Sequence, residues 1–188
     1  MTMYKEIRLS GTGGQGLILA GIILAEAAGV YDGYNVIQTQ SYGPEARGGA
    51  SRAEVIISDS VIDYPKVTSP DIVLIMSEQA CDKYGNQVKT GGIVLLDDTN
   101  VDSRPVLDGA SIIALPITEI ARHDVGRQVV ANVVALGALV GVSKVVTPEA
   151  LEKAVLSRVP KGTEDLNMKA FHMGLERGRR AMTEHETP

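Results

Sequence analysis

The hexapeptide Gly11-Thr12-Gly13-Gly14-Gln15-Gly16 joins an alternating apolar segment to a continuous apolar one. Ile7 and Leu9 alternate with polar residues before it, which is typical of a strand, and the run from Leu17 to Ala28 has the pattern of a buried helix. Glycines at such a turn let the backbone bend sharply and bring its N–H groups, with the N-terminus of the next helix, against a partner. The hexapeptide therefore predicts a strand, a turn and a helix in direct succession.

Strand and helix patterns alternate along the rest of the chain. The predicted strands are 5–10, 35–40, 52–58, 71–76, 93–97 and 111–115, and the predicted helices are 14–30, one starting near 77, 128–141, 148–158 and 164–182. The strand 52–58 is expected to form a hairpin with 61–64. Such alternation predicts the fold class α/β: an open Rossmann-like sheet with helices on both faces, in a single domain over 1–188. A polar tail, 183–188, is expected to fray.

Composition narrows the range of functions. The net charge of −5 argues against a nucleic-acid partner, because such proteins carry a basic face. We expect no membrane segment, since no apolar run reaches about 20 residues, and no signal peptide, which together predict a cytoplasmic protein. The single cysteine, Cys81, excludes an internal disulfide and an iron–sulfur cluster held by this chain alone. The three histidines show no metal-binding spacing, so no metal site is expected.

The glycine turn alone leaves several functions open. Its G-x-G-x-x-G pattern suits a dinucleotide, but such sites also need an acid at the end of the second strand, and that strand ends in Gln38-Thr39-Gln40-Ser41. A Walker-type phosphate loop is excluded because no Lys-Ser/Thr pair follows the glycines. Three alternatives remain for the turn. It could bind a phosphate-bearing ligand, it could bind NAD or FAD, or it could only permit close packing.

A second motif follows the second predicted strand: Ser41-Tyr-Gly-Pro-Glu-Ala-Arg-Gly-Gly-Ala-Ser-Arg52. Its glycines and proline oppose regular structure, and its position places it at the carboxyl edge of the sheet, where ligands and partners gather. An arginine there offers a planar fork for a carboxylate or phosphate. No residue is predicted to be catalytic. The predicted ligand-binding or interface residues are Gly11, Gly13, Gly14, Gln15, Gly16, Tyr42, Gly43, Pro44, Glu45, Arg47, Gly48, Gly49 and Arg52.

The two motifs in this order resemble the gamma subunit of 2-oxoacid:ferredoxin oxidoreductases, and most of all the 2-oxoglutarate branch. The resemblance continues through Ile62-Asp-Tyr-Pro65, Asn132 with Leu136-Gly-Ala-Leu139, and Pro160-Lys-Gly-Thr-Glu-Asp-Leu-Asn167. It covers nearly the whole chain. The paired motifs are specific, whereas the glycine turn by itself would be a weak signal.

The resemblance implies a shared enzyme. Such complexes oxidatively decarboxylate a 2-oxoacid with coenzyme A and reduce ferredoxin. Thiamine diphosphate with Mg²⁺ is implied on alpha and beta subunits, and iron–sulfur clusters on beta and delta-type subunits. The chain is thus expected to hold no cofactor alone and to close over an active site, with Arg47 and Arg52 helping to hold coenzyme A or substrate. The alternatives are a pyruvate, branched-chain or indolepyruvate enzyme, a free-standing NAD(P)-dependent reductase, and a pure scaffold.

Overall fold

The computed structural model describes residues 3–41 and 49–186. Over these residues, six strands form one sheet in the order β2-β3-β1-β4-β5-β6. The strands are β1 (Tyr4–Thr12), β2 (Asn35–Ser41), β3 (Ala50–Ser58), β4 (Ile72–Ile75), β5 (Ile93–Asp97) and β6 (Ser111–Leu115). Strands β1, β4, β5 and β6 are parallel to one another, while β3 runs antiparallel to both of its neighbours.

The expected hairpin between 52–58 and 61–64 is wrong. Residues 61–64 form no strand, and β3 instead lies between β1 and β2, paired along its length with both. The alternation of Ala53, Val55 and Ile57 was a correct strand signal, because these side chains are buried on one face of the sheet. The partners of β3 are distant in sequence, so a local turn signal could not identify them.

Among the described residues, five helices follow the predicted order, most of them with shifted ends, and a sixth, the short α3, was not predicted from the sequence. They are α1 (Leu17–Glu26, continued by a π-helical turn Ala27–Tyr31), α2 (Glu78–Tyr84), α3 (Ile117–Glu119, continued by a π-helical turn Ile120–Val125), α4 (Ala131–Ser143, preceded by a 3₁₀ turn Gln128–Val130), α5 (Pro148–Arg158) and α6 (Glu164–Glu186). Helix α6 continues to Glu186, and the fraying of 183–188 stays a prediction. Within the described ranges, every helix is too short or too polar to cross a lipid bilayer.

Each face of the sheet carries its own apolar core. On one face, strand residues such as Leu9 and Leu74 pack with α1, α4, α5 and α6. On the other, Val73 and Ile75 pack with Ala80, Cys81 and Tyr84 of α2. These two cores confirm the prediction of a single α/β domain with helices on both faces, although the two faces are covered unequally.

Two local predictions are confirmed in detail. Thr147 caps α5, its hydroxyl oxygen accepting from the backbone N–H of Ala150 at 3.2 Å, and Pro148 occupies the first helical position. Helix α4 is buried on every side, as its uniformly apolar sequence indicates. It lies so close to α6 that a Cβ at Gly174 would overlap the carbonyl oxygen of Val134.

An ionic contact fixes the amino ends of the parallel strands. The carboxylate of Asp71, just before β4, accepts from the backbone N–H of Glu6 at 2.8 Å and pairs with Lys5 at 3.1 Å and Lys89 at 2.5 Å. Burial by itself raises the pKa of Asp71, but the hydrogen bonds from Lys89, Glu6 and Lys5 outweigh it, so the net effect is a lowered pKa. The charged side chain of Asp71 therefore links β1 to the start of β4 at the end of the sheet opposite the glycine turn.

Candidate functional site at the glycine turn

The turn from β1 into α1 depends on two glycines with left-handed backbone. Gly14 has φ of 90° and Gly16 has φ of 72°, conformations that residues with a Cβ adopt only with strain. At Gly16 a Cβ would also lie 2.7 Å from Nδ2 of Asn132, which donates to the carbonyl of Gly16 at 3.3 Å. These left-handed glycines explain why α1 begins at Leu17 and not at the predicted residue 14.

The side chain of Gln15 locks the turn against the sheet. Its Oε1 accepts from the backbone N–H of Thr12 at 2.8 Å, and its Nε2 donates to the carbonyl of Met76 at 2.8 Å. A Cβ at Gly11 would overlap Gln15 Oε1 and lie 2.6 Å from Leu17 Cδ1. Gln15 therefore joins the carboxyl ends of β1 and β4, and Gly11 leaves room for it.

The start of α1 presents backbone donors that have no partner among the described residues. The first helical hydrogen bond of α1 runs from the N–H of Ala20 to the carbonyl of Gly16, and no side chain caps the helix. The N–H groups of Leu17, Ile18 and Leu19 thus lack partners within the helix, as at any uncapped N-terminus. A Cβ at Gly13 would meet nothing within 4 Å, so the tip of the turn is open. Such a turn can accept an anionic group or another backbone.

The glycine turn lies at the topological switch point of the sheet, where successive connections pass to opposite faces. The chain leaves β1 through α1 on one face and leaves β4 through α2 on the opposite face. In open α/β sheets, ligands bind at this crevice. Here a cleft of about 310 Å³ is lined by Gly14, Gln15, Met76 and Thr118 among others.

A second, apolar cleft adjoins the turn on the side of α1. It measures about 300 Å³ and includes Gly14, Leu19, Val129 and the two buried asparagines, Asn132 and Asn167. Leu19 is 39% exposed and Val129 is 81% exposed. Apolar side chains exposed together beside a cleft are a feature of interaction surfaces.

A buried carboxylate makes the neighbouring strand end rigid. Asp97, at the end of β5, accepts from the backbone N–H of Thr118 at 3.1 Å, from its hydroxyl at 2.5 Å, and from Nδ2 of Asn100 at 2.7 Å. Burial, together with the charge of Asp97, raises the pKa of the adjacent Asp98. The carboxylate of Asp97 thus has a structural role, and its hydrogen bonds hold Thr118 at the cleft.

The second predicted motif is described only in part. Gly49 is half-buried just before β3, and Arg52 lies on β3 opposite Ser10 of β1. Arg52 and Gly11 therefore lie at the same end of the sheet. The remaining predicted residues lie outside the described residues: Tyr42, Gly43, Pro44, Glu45, Arg47 and Gly48.

Sequence reasoning missed four residues that shape this region. Asn132 and Met76 hold the glycine turn, and Glu54 and Tyr84 contact Arg52. Asn132 was visible as one polar residue in an otherwise apolar helix. Met76 and Tyr84 gave no local signal, because their partners lie on other elements, whereas Glu54 stands only two residues after Arg52 on β3.

The geometry does not suit a dinucleotide. In a dinucleotide site, the ribose-binding acid stands at the carboxyl end of the parallel strand next to β1. Here the strand in that position is β3, which is antiparallel to β1 and therefore begins at that end of the sheet. The predicted second strand, β2, lies two strand spacings from β1, or about 10 Å. Gln40, the last residue but one of β2, is exposed and carries no charge. In addition, the amide of Gln15 spans the crevice between β1 and β4.

The donor set does not suit a metal or a cluster. Among the described residues, no group of three or more His, Cys, Asp and Glu side chains is placed to hold a metal ion. The one cysteine, Cys81, is buried in α2, and burial followed by the charges of Glu78 and Asp82 raises the pKa of its thiol. An iron–sulfur cluster needs about four thiolates, so this chain cannot hold one alone.

The fold and the turn together define an α/β domain with a glycine turn at the switch point of its sheet. A family model, pyruvate ferredoxin/flavodoxin oxidoreductase, matches residues 6–177. The chain belongs to this family. The resemblance to gamma subunits of 2-oxoacid:ferredoxin oxidoreductases is thereby confirmed, and similar proteins of known name agree with it.

These relatives match nearly the whole chain. The 2-oxoglutarate synthase subunit KorC of Methanocaldococcus jannaschii is 53% identical over 176 residues, which is 93% of this chain and 94% of that protein. The pyruvate synthase subunit PorC of Methanothermobacter marburgensis is 33% identical over 92% of this chain and 96% of that protein. The gamma subunit of a keto/oxoacid ferredoxin oxidoreductase from Geobacter sulfurreducens is 52% identical in sequence to this chain. Its crystal structure matches with a TM-score of 0.88, and the match covers 95% of this chain and 98% of that one.

Proposed function

We propose that this chain is the gamma subunit of an enzyme that oxidatively decarboxylates 2-oxoglutarate with coenzyme A. The products are succinyl-CoA, carbon dioxide and reduced ferredoxin. The observation that carries the proposal is the contrast in identity: a relative named for 2-oxoglutarate matches at 53% and one named for pyruvate at 33%, both over nearly the full chain. This contrast favours 2-oxoglutarate over the pyruvate alternative.

The partners we propose are alpha, beta and delta-type subunits, with ferredoxin as the electron acceptor of a cytoplasmic complex. Thiamine diphosphate with Mg²⁺ and the iron–sulfur clusters would be held by those partners; thiamine diphosphate supplies the nucleophilic carbon that attacks the keto group. The buried single thiol of this chain agrees with that division of labour. We propose no catalytic acid, base or nucleophile on this chain.

The contribution of this chain would be binding and closure. The open glycine turn offers backbone N–H groups and the positive end of α1, which suit a phosphate of coenzyme A or a carbonyl-bearing loop of a partner. The exposed Leu19 and Val129 beside the turn favour a surface that a partner covers. The predicted residues from Gly11 to Gly16, the loop containing Arg47, and Arg52 remain our candidates for these contacts.

Gentle purification of the tagged chain from its native host tests the assembly. We expect larger subunits to co-purify with thiamine diphosphate and with a brown absorbance band from iron–sulfur clusters. A colourless chain recovered without partners would overturn the proposal. The substrate is then assigned by comparing 2-oxoglutarate, pyruvate and branched-chain oxoacids in reduction of methyl viologen.

The variant Arg47→Ala in a reconstituted complex separates ligand binding from assembly. If the arginine holds a reactant, the KM of coenzyme A or of 2-oxoglutarate rises by about tenfold, the effect of one charge-assisted hydrogen bond. Unchanged KM values for both reactants would exclude the ligand role and leave the interface role. Arg180→Ala is the matched control, because Arg180 is exposed on α6 and pairs with Glu184.

A further inference from the structure

Four side chains form a cluster on the face of the sheet that α2 covers. Arg8 on β1 and Glu54 on β3 are direct cross-strand neighbours, and Arg52 lies two residues before Glu54. Tyr84, at the end of α2, packs over them and is only 3% exposed. We call these four residues the arginine cluster. It lies on β1 and β3, next to the strand ends that carry the glycine turn.

Glu54 carries the only carboxylate of the arginine cluster, and Arg8 makes the shorter contact with it. Arg8 Nε lies 2.8 Å from Glu54 Oε1, and the two side chains are 5% and 8% exposed. Arg8 also donates to Oε1 of Gln87 at 2.5 Å and to the carbonyl of Val67 at 3.4 Å. Arg8 and Glu54 are thus a charge-balanced, hydrogen-bonded pair, which is the condition for burying such charges.

Arg52 is the surplus cation. Its Nε lies 3.5 Å from the same oxygen of Glu54, which already receives the shorter bond from Arg8. Among the described residues, this Nε is the one buried side-chain nitrogen or oxygen without a hydrogen-bond partner. A buried donor without an acceptor is costly, so in a native protein such an atom requires an acceptor such as a water, an ion or a ligand group.

Tyr84 fixes the direction of the two guanidinium groups. The Cζ atoms of Arg8 and Arg52 lie 5.4 Å and 5.5 Å from the centre of its ring, and Lys83 Nζ lies 5.4 Å from it. Each distance is within the range of a cation–π contact. The ring therefore holds Arg52 in place without neutralising it, and the side chain stays 34% exposed to an incoming group.

We propose that Arg52 binds an anionic group with two oxygen atoms, a carboxylate or a phosphate, brought by another molecule. Tyr84 and Glu54 are positioning residues for it. Because Arg52 lies opposite Ser10, the bound anion lies at the same end of β1 as the glycine turn but on the α2 face. The two sources that we consider for the anion, a small molecule and a partner subunit, follow from the proposed function. The argument that Arg52 carries an excess charge does not depend on that function.

The Nε–H resonance of Arg52 in the ¹⁵N-labelled full-length chain reports directly on this contact. The variant Arg52→Gln identifies the resonance by its loss. Inorganic phosphate, coenzyme A and the purified alpha and beta subunits are then added in separate titrations. We expect a saturable shift of the Arg52 resonance in at least one titration, while the Nε–H resonance of Arg8 stays near its starting position because its acceptor is already in place.

The titrations distinguish the sources. A shift with phosphate or coenzyme A, with loss of binding in Arg52→Gln, supports a small-molecule anion. A shift with the partner subunits alone, with assembly about tenfold weaker in Arg52→Gln at low salt and a smaller difference at high salt, supports a partner carboxylate. An Arg52 resonance that responds to none of these additions overturns the inference.

Two further variants test the positioning role of Tyr84 and the external origin of the anion. Tyr84→Phe keeps the ring and should keep anion binding, whereas Tyr84→Leu should weaken it by about fivefold, the loss of one cation–π contact near 1 kcal/mol. Equal binding by folded Tyr84→Leu and wild type would contradict the positioning role. Glu45, outside the described residues, is tested by Glu45→Gln: a shift of the Arg52 resonance in this variant without any addition would overturn an external ligand.

These outcomes are separate from those of the proposed function. A complex that oxidises 2-oxoglutarate while Arg52 stays silent contradicts the inference alone. A chain whose Arg52 binds phosphate but which recovers no partners contradicts the proposed function alone.

Discussion

Gln15 and Met76 join the carboxyl ends of two parallel strands. Nε2 of Gln15 donates to the carbonyl of Met76 at 2.8 Å, across 61 positions of sequence. The same side chain accepts from the N–H of Thr12. A residue in the middle of a glycine-rich motif, which as sequence suggests a ligand contact, therefore holds β1 and β4 together and sets the shape of the turn.

Gln15→Glu should destabilise the isolated chain. The carboxylate can still accept from Thr12, but it cannot donate to Met76 and places a charge against that carbonyl, at a cost of about 1–3 kcal/mol. Thermal and urea unfolding would measure the change. Gln40→Glu is the control, since Gln40 is exposed and should tolerate the same substitution. Equal stability of the two variants would show that the Gln15 bridge contributes little.

The glycines of the turn should differ sharply in their tolerance of alanine. At Gly11 a Cβ overlaps the Gln15 amide and lies 2.6 Å from Leu17 Cδ1, so Gly11→Ala should cost about 1–3 kcal/mol. At Gly13 a Cβ meets nothing within 4 Å, and φ is not positive, so Gly13→Ala should stay within about 0.5 kcal/mol of wild type. A loss of stability at Gly13 as large as at Gly11 would contradict the described turn.

The carboxylate of Asp71 should contribute to the pH dependence of stability. Because its pKa is lowered on folding from an ordinary value of 3.8, its stabilising effect is complete above that value and is lost as the pH falls through the folded pKa. Asp71→Asn should therefore lower the free energy of unfolding at pH 7 by roughly 1–3 kcal/mol, with the difference from wild type shrinking below pH 4. Urea unfolding across pH 3–7 measures this, with the exposed Asp63→Asn as control. A difference independent of pH would exclude an ionic origin.

NAD(P)H should not bind, even when the missing acid is supplied. The variant Gln40→Asp places a carboxylate at the end of β2, but β3 separates β2 from the turn. We expect no saturable change of NADH or NADPH fluorescence with either wild type or variant. Micromolar binding by the wild type would revive the reductase alternative.

The sequence predicted what depends on local pattern. All six strands, the cap at Thr147 and the buried helix α4 follow from periodicity and from the preferences of helix ends. The placement of β3 between β1 and β2 could not be predicted, because pairing between distant strands leaves no mark within either one. The same limit hid the bridge from Gln15 to Met76 and the contact of Arg52 with Tyr84: in each, the partner is contributed by another element.

The most direct test of the central claim is omission and restoration of this chain. Alpha, beta and delta-type subunits would be purified without it and assayed for ferredoxin reduction with 2-oxoglutarate and coenzyme A, before and after one equivalent of the chain is added. We predict little activity before addition, restored activity after it, and a clear preference for 2-oxoglutarate over pyruvate. Full activity without the chain, or a preference for pyruvate, would contradict the account.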